Sequence, residues 1–487
     1  MKKYIALFIE SQWHILNIDD FEDYKILHAF NYKDTYITSQ VSDLIQYVHS
    51  MGYKSLPKII DLQCFDKQMA QEGKEFIDYE RWTVINSLKH HHIIDSSFLL
   101  HNNNFREFLE HIANLYITLT SNLEEKNRFE SIELPINKII YKRQKLGVRL
   151  DHKKLSSRCR DLELSIYKIK NELQFKHNIF TPDDEKFQIT YLKSKGYNIV
   201  QSIPYTFKIW KTEDTICNLL YNLKRNQKDL ESLLFMLTHH GGKERTHSMY
   251  LGFGTITSRI ILKQPALQNL RRTNRDIIIA DKGYKLLYID YSQFEAGILA
   301  TLSKDKKLIE LYKSDIYTDI ANNLLNEKPY SDHEKRKVAK IIFYRYMYGD
   351  KSLNEAAQNY FLEFKSLTKY RNEIDGRIQA DGKVGTSAGN FRKASNADLL
   401  ANNTSWSLSH VIQSTAALIY KNAVIRTNIE VPTAQFLIPL HDATLYQLNV
   451  NNFNVLKSKI ETIYKQEFEK VCKQISARIN FNEFYEP

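Results

Sequence analysis

Cysteine is scarce. Cys64, Cys159, Cys217 and Cys472 are the only four in 487 residues, and none stands in a CxxC pair. That spacing excludes a disulfide framework and a zinc knuckle and places the chain in a reducing compartment. Long apolar runs are missing as well, since none approaches the roughly 18 residues of a membrane-spanning helix. The apolar start, Tyr4 to Ile9, is too short for a signal peptide and stops at Glu10. A soluble, cytoplasmic protein with no membrane partner is expected. The GxxxxGK[ST] framework is absent too: Gly241-Gly242-Lys243 and Gly252-Phe253-Gly254 have neither its spacing nor a parallel-sheet strand pattern before them, which excludes a P-loop ATPase. His90-His91-His92 finds no companion ligand motif and reads as a solvated loop.

The chain does have length and positive charge. At 487 residues it exceeds one ordinary domain. Its 68 Lys and Arg outnumber 57 Asp and Glu, a net charge of +11 that suits a polyanionic partner. The abundance of Lys, Asn, Ile and Tyr fits an AT-rich genome.

Leu286 to Ile289 is a β-branched and aromatic run of strand length that meets Asp290 and then a helical repeat, Phe294, Ile298 and Leu302. A carboxylate at the end of a buried strand is costly unless a cation settles it. Taken alone, Asp290 reads equally as a helix cap. A second stretch, His333 to Gly349, reads as a helix capped by Ser331 or Asp332 and closed by glycine. In it Arg336, Lys340, Tyr344 and Tyr348 recur every four residues and share one face. Two cations followed by two aromatics suit a ligand with a phosphate tail and a flat base; snorkelling cations on an ordinary amphipathic helix would give the same pattern. A third stretch, Ala434 to Leu448, reads as a hairpin with His441-Asp442 at its turn. Brought beside Asp290, Asp442 would need a cation between the two, which points to Mg²⁺ and phosphate chemistry.

With Gly254-Thr255-Ile256-Thr257-Ser258-Arg259 to Gln268-Asn269 added, the order and spacing resemble the family A DNA polymerases. Residues 254 to 269 resemble that family's TxTGRxSSxxPNLQN segment, 290 to 295 its motif A (DYSQxE), and 336 to 349 its motif B (RxxxKxxx[FY]xxxYG). His441-Asp442 falls where motif C (HDE) belongs. The resemblance covers roughly residues 131 to 487. It implies an α+β right-hand polymerase, with a thumb, a palm carrying an antiparallel sheet and helical fingers, plus a small N-terminal α/β exonuclease-like region. The implied division is 1–125 for that region, 126–240 thumb, 241–305 palm, 306–394 fingers and 395–487 palm again.

The roles the resemblance implies are those of template-directed DNA synthesis from dNTPs on a primer–template. Asp290 and Asp442, with the Tyr291 carbonyl, would hold two Mg²⁺ ions. Arg336 and Lys340 would grip the triphosphate, and Lys340 would protonate the departing pyrophosphate. Tyr317, in a segment similar to DIHxxxA, replaces a phosphate-contacting histidine. Tyr344 and Tyr348 would lie against the incoming base and the template. Glu295 would block a ribose 2′-hydroxyl, where single-subunit RNA polymerases carry glycine. Arg259, Gln268, Asn269, Gln413 and His441 would hold primer and template.

Three departures stand out: Ala443 replaces the Glu of HDE, Arg345 replaces a glycine, and Tyr344 stands where many members have Phe, which implies ready acceptance of dideoxynucleotides. The expected reading of Ala443 is reduced rather than absent activity. Toward the N-terminus, the family's exonuclease begins with Asp-x-Glu at a strand end. Here Phe8 takes the Asp position before Glu10, and Asp20-Phe21-Glu22 has the spacing but lies in an acidic, loop-like stretch. Without four carboxylates the region is expected to pack or to contact DNA rather than proofread, and this reduced form suits a phage or mobile element.

Glu133-Leu134-Pro135 to Gly147-Val148-Arg149-Leu150-Asp151 resembles the start of the family's thumb. The helical pattern after it carries Lys153, Lys154, Arg158, Arg160, Lys168 and Lys170, either as phosphate contacts or as a solvated face. Two other readings remain: a catalytically silent DNA-binding scaffold, and a single-subunit RNA polymerase, which Glu295 disfavours. An unidentified processivity or replication partner is left open.

Overall fold

The structure is a computed structural model, which describes residues 2–72, 82–100, 104–199, 202–239, 243–327, 331–350, 352–401 and 404–485. Gly241 and Gly242, part of the excluded P-loop reading, lie outside the described residues. The chain divides into two compact units, one of Met1–Leu146, Met249–Lys263 and Lys282–Asn482, the other of Gly147–Ser248, Gln264–Asp281 and Glu483–Pro487.

The first strands are β1 (Lys3–Ile9), β2 (Gln12–Asn17), β3 (Asp20–Leu27), β4 (Thr35–Thr38) and β5 (Lys58–Asp61). They form one sheet in the order β3-β2-β1-β4-β5, antiparallel through β1 to β3 and parallel from β1 to β4 and β5. The apolar runs Tyr4 to Phe8 and Trp13 to Asn17 pair as a hairpin. It turns at Glu10 and Ser11, both at positive φ (47° and 66°), which is the backbone a two-residue hairpin loop demands. Apolar residues of this sheet, among them Ile5, Leu16, Ile37 and Ile60, pack on Leu109, Ile112 and Tyr116 of the helix Phe105–Leu119.

Two expectations fail here. The acidic stretch at Asp20 is the edge strand β3, not a loop. Phe21 and Tyr24 pack against the core, and Lys2 and Lys25 neutralise Asp23 at 2.8 and 2.9 Å. Nor do His90 and His91 lie in a solvated loop. They end the helix Val84–His90, and the fully buried Asp66 accepts from His91 Nε2 at 2.7 Å, Trp82 Nε1 at 2.8 Å and Ser87 Oγ at 2.7 Å. An interior carboxylate explains the histidine, which spacing alone could not show.

In the second unit, β6 (Val148–Arg149) pairs with β7 (Arg245–Thr246), beside the helices His152–His177, Glu185–Ser194, Ile203–Trp210 and Thr215–His239. Leu173, Leu192, Phe207, Leu220 and Leu223 make its core. Of the basic residues on the first of these helices, Arg158 pairs with Asp276 at 3.2 Å and Lys170 with Asp183 at 2.7 Å, while Lys153, Arg160 and Lys168 are exposed.

Back in the first unit, β8 (Met249–Leu251) and β9 (Ile261–Lys263) form a ribbon. The central sheet follows, made of β10 (Tyr284–Tyr291), β13 (Gln435–Leu440), β14 (Ala443–Asn449) and β15 (Ile479–Asn480); the hairpin of β11 (Lys383–Thr386) and β12 (Gly389–Lys393) lies between them in sequence. The central order is β13-β14-β10-β15, antiparallel throughout. The helices Ser407–Glu430 and Phe453–Val471 pack in the same unit. The Tyr291 ring stacks on Phe294 at 4.2 Å and lies 5.3 Å from Tyr464. Between β10 and β11 the chain is helical, including Phe294–Ser303, Ile316–Leu324 and Asp332–Met347. Among the described residues, no helix is long and apolar enough to cross a membrane.

Candidate active site

Asp290 sits at the carboxyl end of β10, where the register sets it opposite Ala443, the first residue of β14. The preceding two residues, His441 and Asp442, are the turn of the β13–β14 hairpin, as the sequence leads one to expect. His441 takes φ 59°, and the Tyr291 amide donates to the Asp442 carbonyl at 3.3 Å. The main chain thus brings the two aspartates to adjoining strand ends. About a quarter of the Asp442 side chain is exposed, and burial raises its carboxyl above the usual range against the pull of Arg259, His441 and Lys340. Ala443 is fully buried.

Glu295, at the start of the helix Phe294–Ser303, is 2 % exposed. Burial first, and then the neighbouring Asp442, push its carboxyl up to about 7, while Arg259 and Lys340 pull the other way. Arg259 Nη2 donates to one Glu295 oxygen and lies 3.8 Å from Asp442; the other oxygen, Oε2, is buried without a hydrogen-bond partner. Across the site Gln413 Nε2 donates to the Tyr348 hydroxyl at 2.9 Å.

The helix Asp332–Met347 has the predicted ends. Ser331 and Glu334 form a reciprocal capping box, and Gly349 follows at φ 71°. Its stripe is present, and each member has a partner. Arg336 Nε donates to Asp315 at 2.7 Å, and its guanidinium lies 5.2 Å from the Tyr317 ring. Lys340 is exposed, 5.9 Å from the Tyr317 ring and 5.7 Å from that of Tyr344. Tyr344 and Tyr348 stack with centroids 6.0 Å apart. Tyr317 is buried, its hydroxyl shares a hydrogen bond with that of Tyr344, and burial raises both phenols. Arg336 and Lys340 thus lie over the ring of the buried Tyr317. Arg345 Nε is bound by Asp350 at 2.6 Å.

The structure brings together Asp290, Tyr291, Asp442, Glu295, Arg259, His441, Lys340, Tyr344, Tyr348 and Gln413. Gln268 and Asn269 belong to the other compact unit, on the short turn Leu267–Asn269. Sequence reasoning missed Asp315. One of its oxygens caps the helix Ile316–Leu324 and the other holds Arg336. The cap is legible in Ser314-Asp315-Ile316, but a cation 21 residues onward is not.

Hard oxygens are what Mg²⁺ prefers, and Asp290, Asp442 and the Tyr291 carbonyl supply them. Burial raises the carboxyls of Asp442 and Glu295 despite the nearby Arg259 and Lys340, and a cation would offset that cost. On both counts the residues fit a divalent cation. Among the described residues there is no group of three or more His, Cys, Asp or Glu that could hold a metal.

Comparison with known proteins agrees with this arrangement. The family described as DNA polymerase family A matches residues 151–483. Curated relatives include DNA polymerase I of Helicobacter pylori, 28 % identical over 253 residues, covering 46 % of this chain and 28 % of the relative. DNA polymerase I of Bacillus caldotenax is 23 % identical over 408 residues, covering 72 % of this chain and 43 % of its own length. The chain spans less than half the length of these curated relatives. A solved structure, the POL domain of Pol1 from M. smegmatis in complex with DNA primer-template and dNTP, superposes with a TM-score of 0.75 at 16 % identity, covering 98 % of this chain and 94 % of that one. The fold is that of a right-hand polymerase.

Proposed function

Since the chain belongs to DNA polymerase family A, we propose that it extends a DNA primer on a template, adding deoxynucleotides by nucleotidyl transfer. The observation that carries this is the pair Asp290 and Asp442, held at adjoining strand ends beside Lys340. Family members generally use divalent metal ions, and Mg²⁺ held by Asp290, Asp442 and the Tyr291 carbonyl would supply charge stabilisation to the hydroxyl and the leaving oxygen.

The chain's own residues do the rest. Lys340, exposed on its helix, is placed to hold the triphosphate and to give a proton to the departing pyrophosphate. Arg336, steadied by Asp315, adds charge behind it. Tyr344 and Tyr348 offer a stacked surface to a flat base. Glu295, buried and held by Arg259, would reject a ribose 2′-hydroxyl pressed against it and so select the deoxyribose. Gln413 and His441 are assigned to primer and template, as are Gln268 and Asn269.

The proposed division is an exonuclease-like region to residue 125, a thumb to 240, and palm and fingers beyond. We assign no proofreading to the first region. At the end of β1 Phe8 stands in the acid position, and Gln40 closes on it, accepting from the Phe8 amide at 2.6 Å and donating to its carbonyl at 3.0 Å. Asp61 is consumed as a buried helix cap.

The test is extension of a labelled primer–template by the purified protein with Mg²⁺ and dNTPs, then NTPs, beside Asp442→Asn. Extension with dNTPs alone, lost in the variant, supports the proposal. Salt-sensitive DNA binding with no extension would leave the DNA-binding scaffold, which Ala443 favours. Shortening of a mismatched primer would overturn the statement on proofreading.

A further inference from the structure

Ser258 is fully buried and takes φ 62°, a left-handed backbone that L-residues seldom adopt. The TxTGR motif that residues 255–259 resemble has glycine there, which takes such a φ without strain. In this chain the hydroxyl is saturated. It accepts from Lys421 Nζ at 2.5 Å and Arg128 Nη2 at 3.1 Å and donates to Glu133 Oε1 at 2.9 Å, the full capacity of a serine. Glu133 Oε2 meets Lys421 at 2.5 Å, and Arg128 lies 3.3 Å from Glu133. All three charged side chains are almost wholly buried, and burial, with Arg128 close by, lowers Lys421 to about 8.

These groups come from distant places. Arg128 and Glu133 flank the π-turn Phe129–Glu133 after the N-terminal region, and Lys421 lies on the helix Ser407–Glu430. They converge one residue before Arg259. Thr255 Oγ1 holds the Arg259 amide at 3.0 Å, and the Arg259 side chain reaches Glu295 and Asp442.

We propose that Arg128, Glu133, Lys421 and Ser258 are positioning residues, a buried ionic lock that holds the 255–259 turn left-handed and so aims Arg259 into the polymerase site. The lock ties the segment 128–133 to the site with no chemistry of its own. This inference rests on the polymerase reading, because Arg259 is the residue it positions.

The test is a double-mutant cycle on the full chain, reading kcat and KM for primer extension and, separately, primer–template affinity by anisotropy without nucleotide. Ser258→Ala keeps the left-handed demand and removes the hydroxyl, and should lower kcat/KM about tenfold. Added to Arg259→Ala it should change kcat/KM by less than about twofold, because the lock acts through that arginine. Ser258→Gly, which adopts the turn freely, should recover more activity than Ser258→Ala. Effects that multiply in the double variant, or a Ser258→Ala protein with unchanged kcat/KM, would overturn the lock. If Ser258→Ala does not fold, Lys421→Met with Glu133→Gln, which removes both charges together, takes its place under the same criteria. A wild-type protein that extends nothing would sink the polymerase reading instead. The lock is then read from affinity and from a crystal structure of Ser258→Ala, in which Arg259 leaves Glu295 if the lock is real and stays if it is not.

Discussion

The amide of Tyr291 donates to the carbonyl of Asp442 across 3.3 Å, so the two acidic strand ends are joined through main chain. Carboxylate placement therefore survives the loss of either carboxylate. Asp290→Asn and Asp442→Asn should each cut primer extension by about 10²–10³-fold or more, the scale of losing a preorganised group at a reacting centre. Both should keep or raise the melting temperature, since like charge is removed from a crowded corner. A variant that loses activity together with its cooperative unfolding would contradict this.

On the proposed function, Glu295 discriminates between sugars. Its Oε1 is held by Arg259 and its Oε2 is buried without a hydrogen-bond partner, so a ribose hydroxyl pressed there meets a rigid acid. Glu295→Ala should improve NTP incorporation relative to dNTP by about 10²-fold. Competition between the two nucleotide sets on one template measures the ratio, and an unchanged ratio would move the discrimination elsewhere.

Tyr344 carries a hydroxyl, shared with Tyr317, where Phe would carry none. The wild type should accept dideoxynucleotides readily. Tyr344→Phe should discriminate against them by about tenfold, the worth of one hydrogen bond. Termination ladders at fixed ddNTP:dNTP ratios read this directly. A wild type that rejects ddNTPs as strongly as the variant does would refute it.

His410 contributes to the pH dependence of stability. It is buried, donates from Nε2 to the Asn390 carbonyl at 3.0 Å, and is pushed down to about 4 by burial. The unfolded imidazole binds its proton near pH 6.5, so between about 6.5 and 4 the unfolded state holds more protons and stability falls as pH falls. The contribution, complete above pH 6.5 and lost on reaching pH 4, is about 3 kcal/mol. Urea titrations of His410→Gln across this range should show a flatter profile than the wild type; parallel profiles would place the acid sensitivity in other groups.

What the sequence made legible was local. The helix Asp332–Met347 announces itself by Ser331, Glu334 and Gly349, and the β13–β14 hairpin by two apolar runs around His441-Asp442. Each signal lies within a few residues of the structure it causes. The acidic strand β3 was hidden because its charge is cancelled by Lys2 and Lys25, one of them at the far end of the hairpin. The interior role of His91 depends on Asp66, 25 residues earlier. The lock beneath Arg259 joins residues 125 to 288 positions apart, a distance at which spacing carries no information.

Glu133 bears on how divisible this chain is. Lys421, inside the helix Ser407–Glu430, meets its counter-charge on a residue at the very start of the polymerase-like part of the chain, 288 positions earlier. Trimming the gene from its 5′ side past that codon would strand the buried Lys421 ammonium. The short segment from Arg128 to Glu133 is then no trimmable leader but an electrostatic foundation on which a helix nearly three hundred residues later rests.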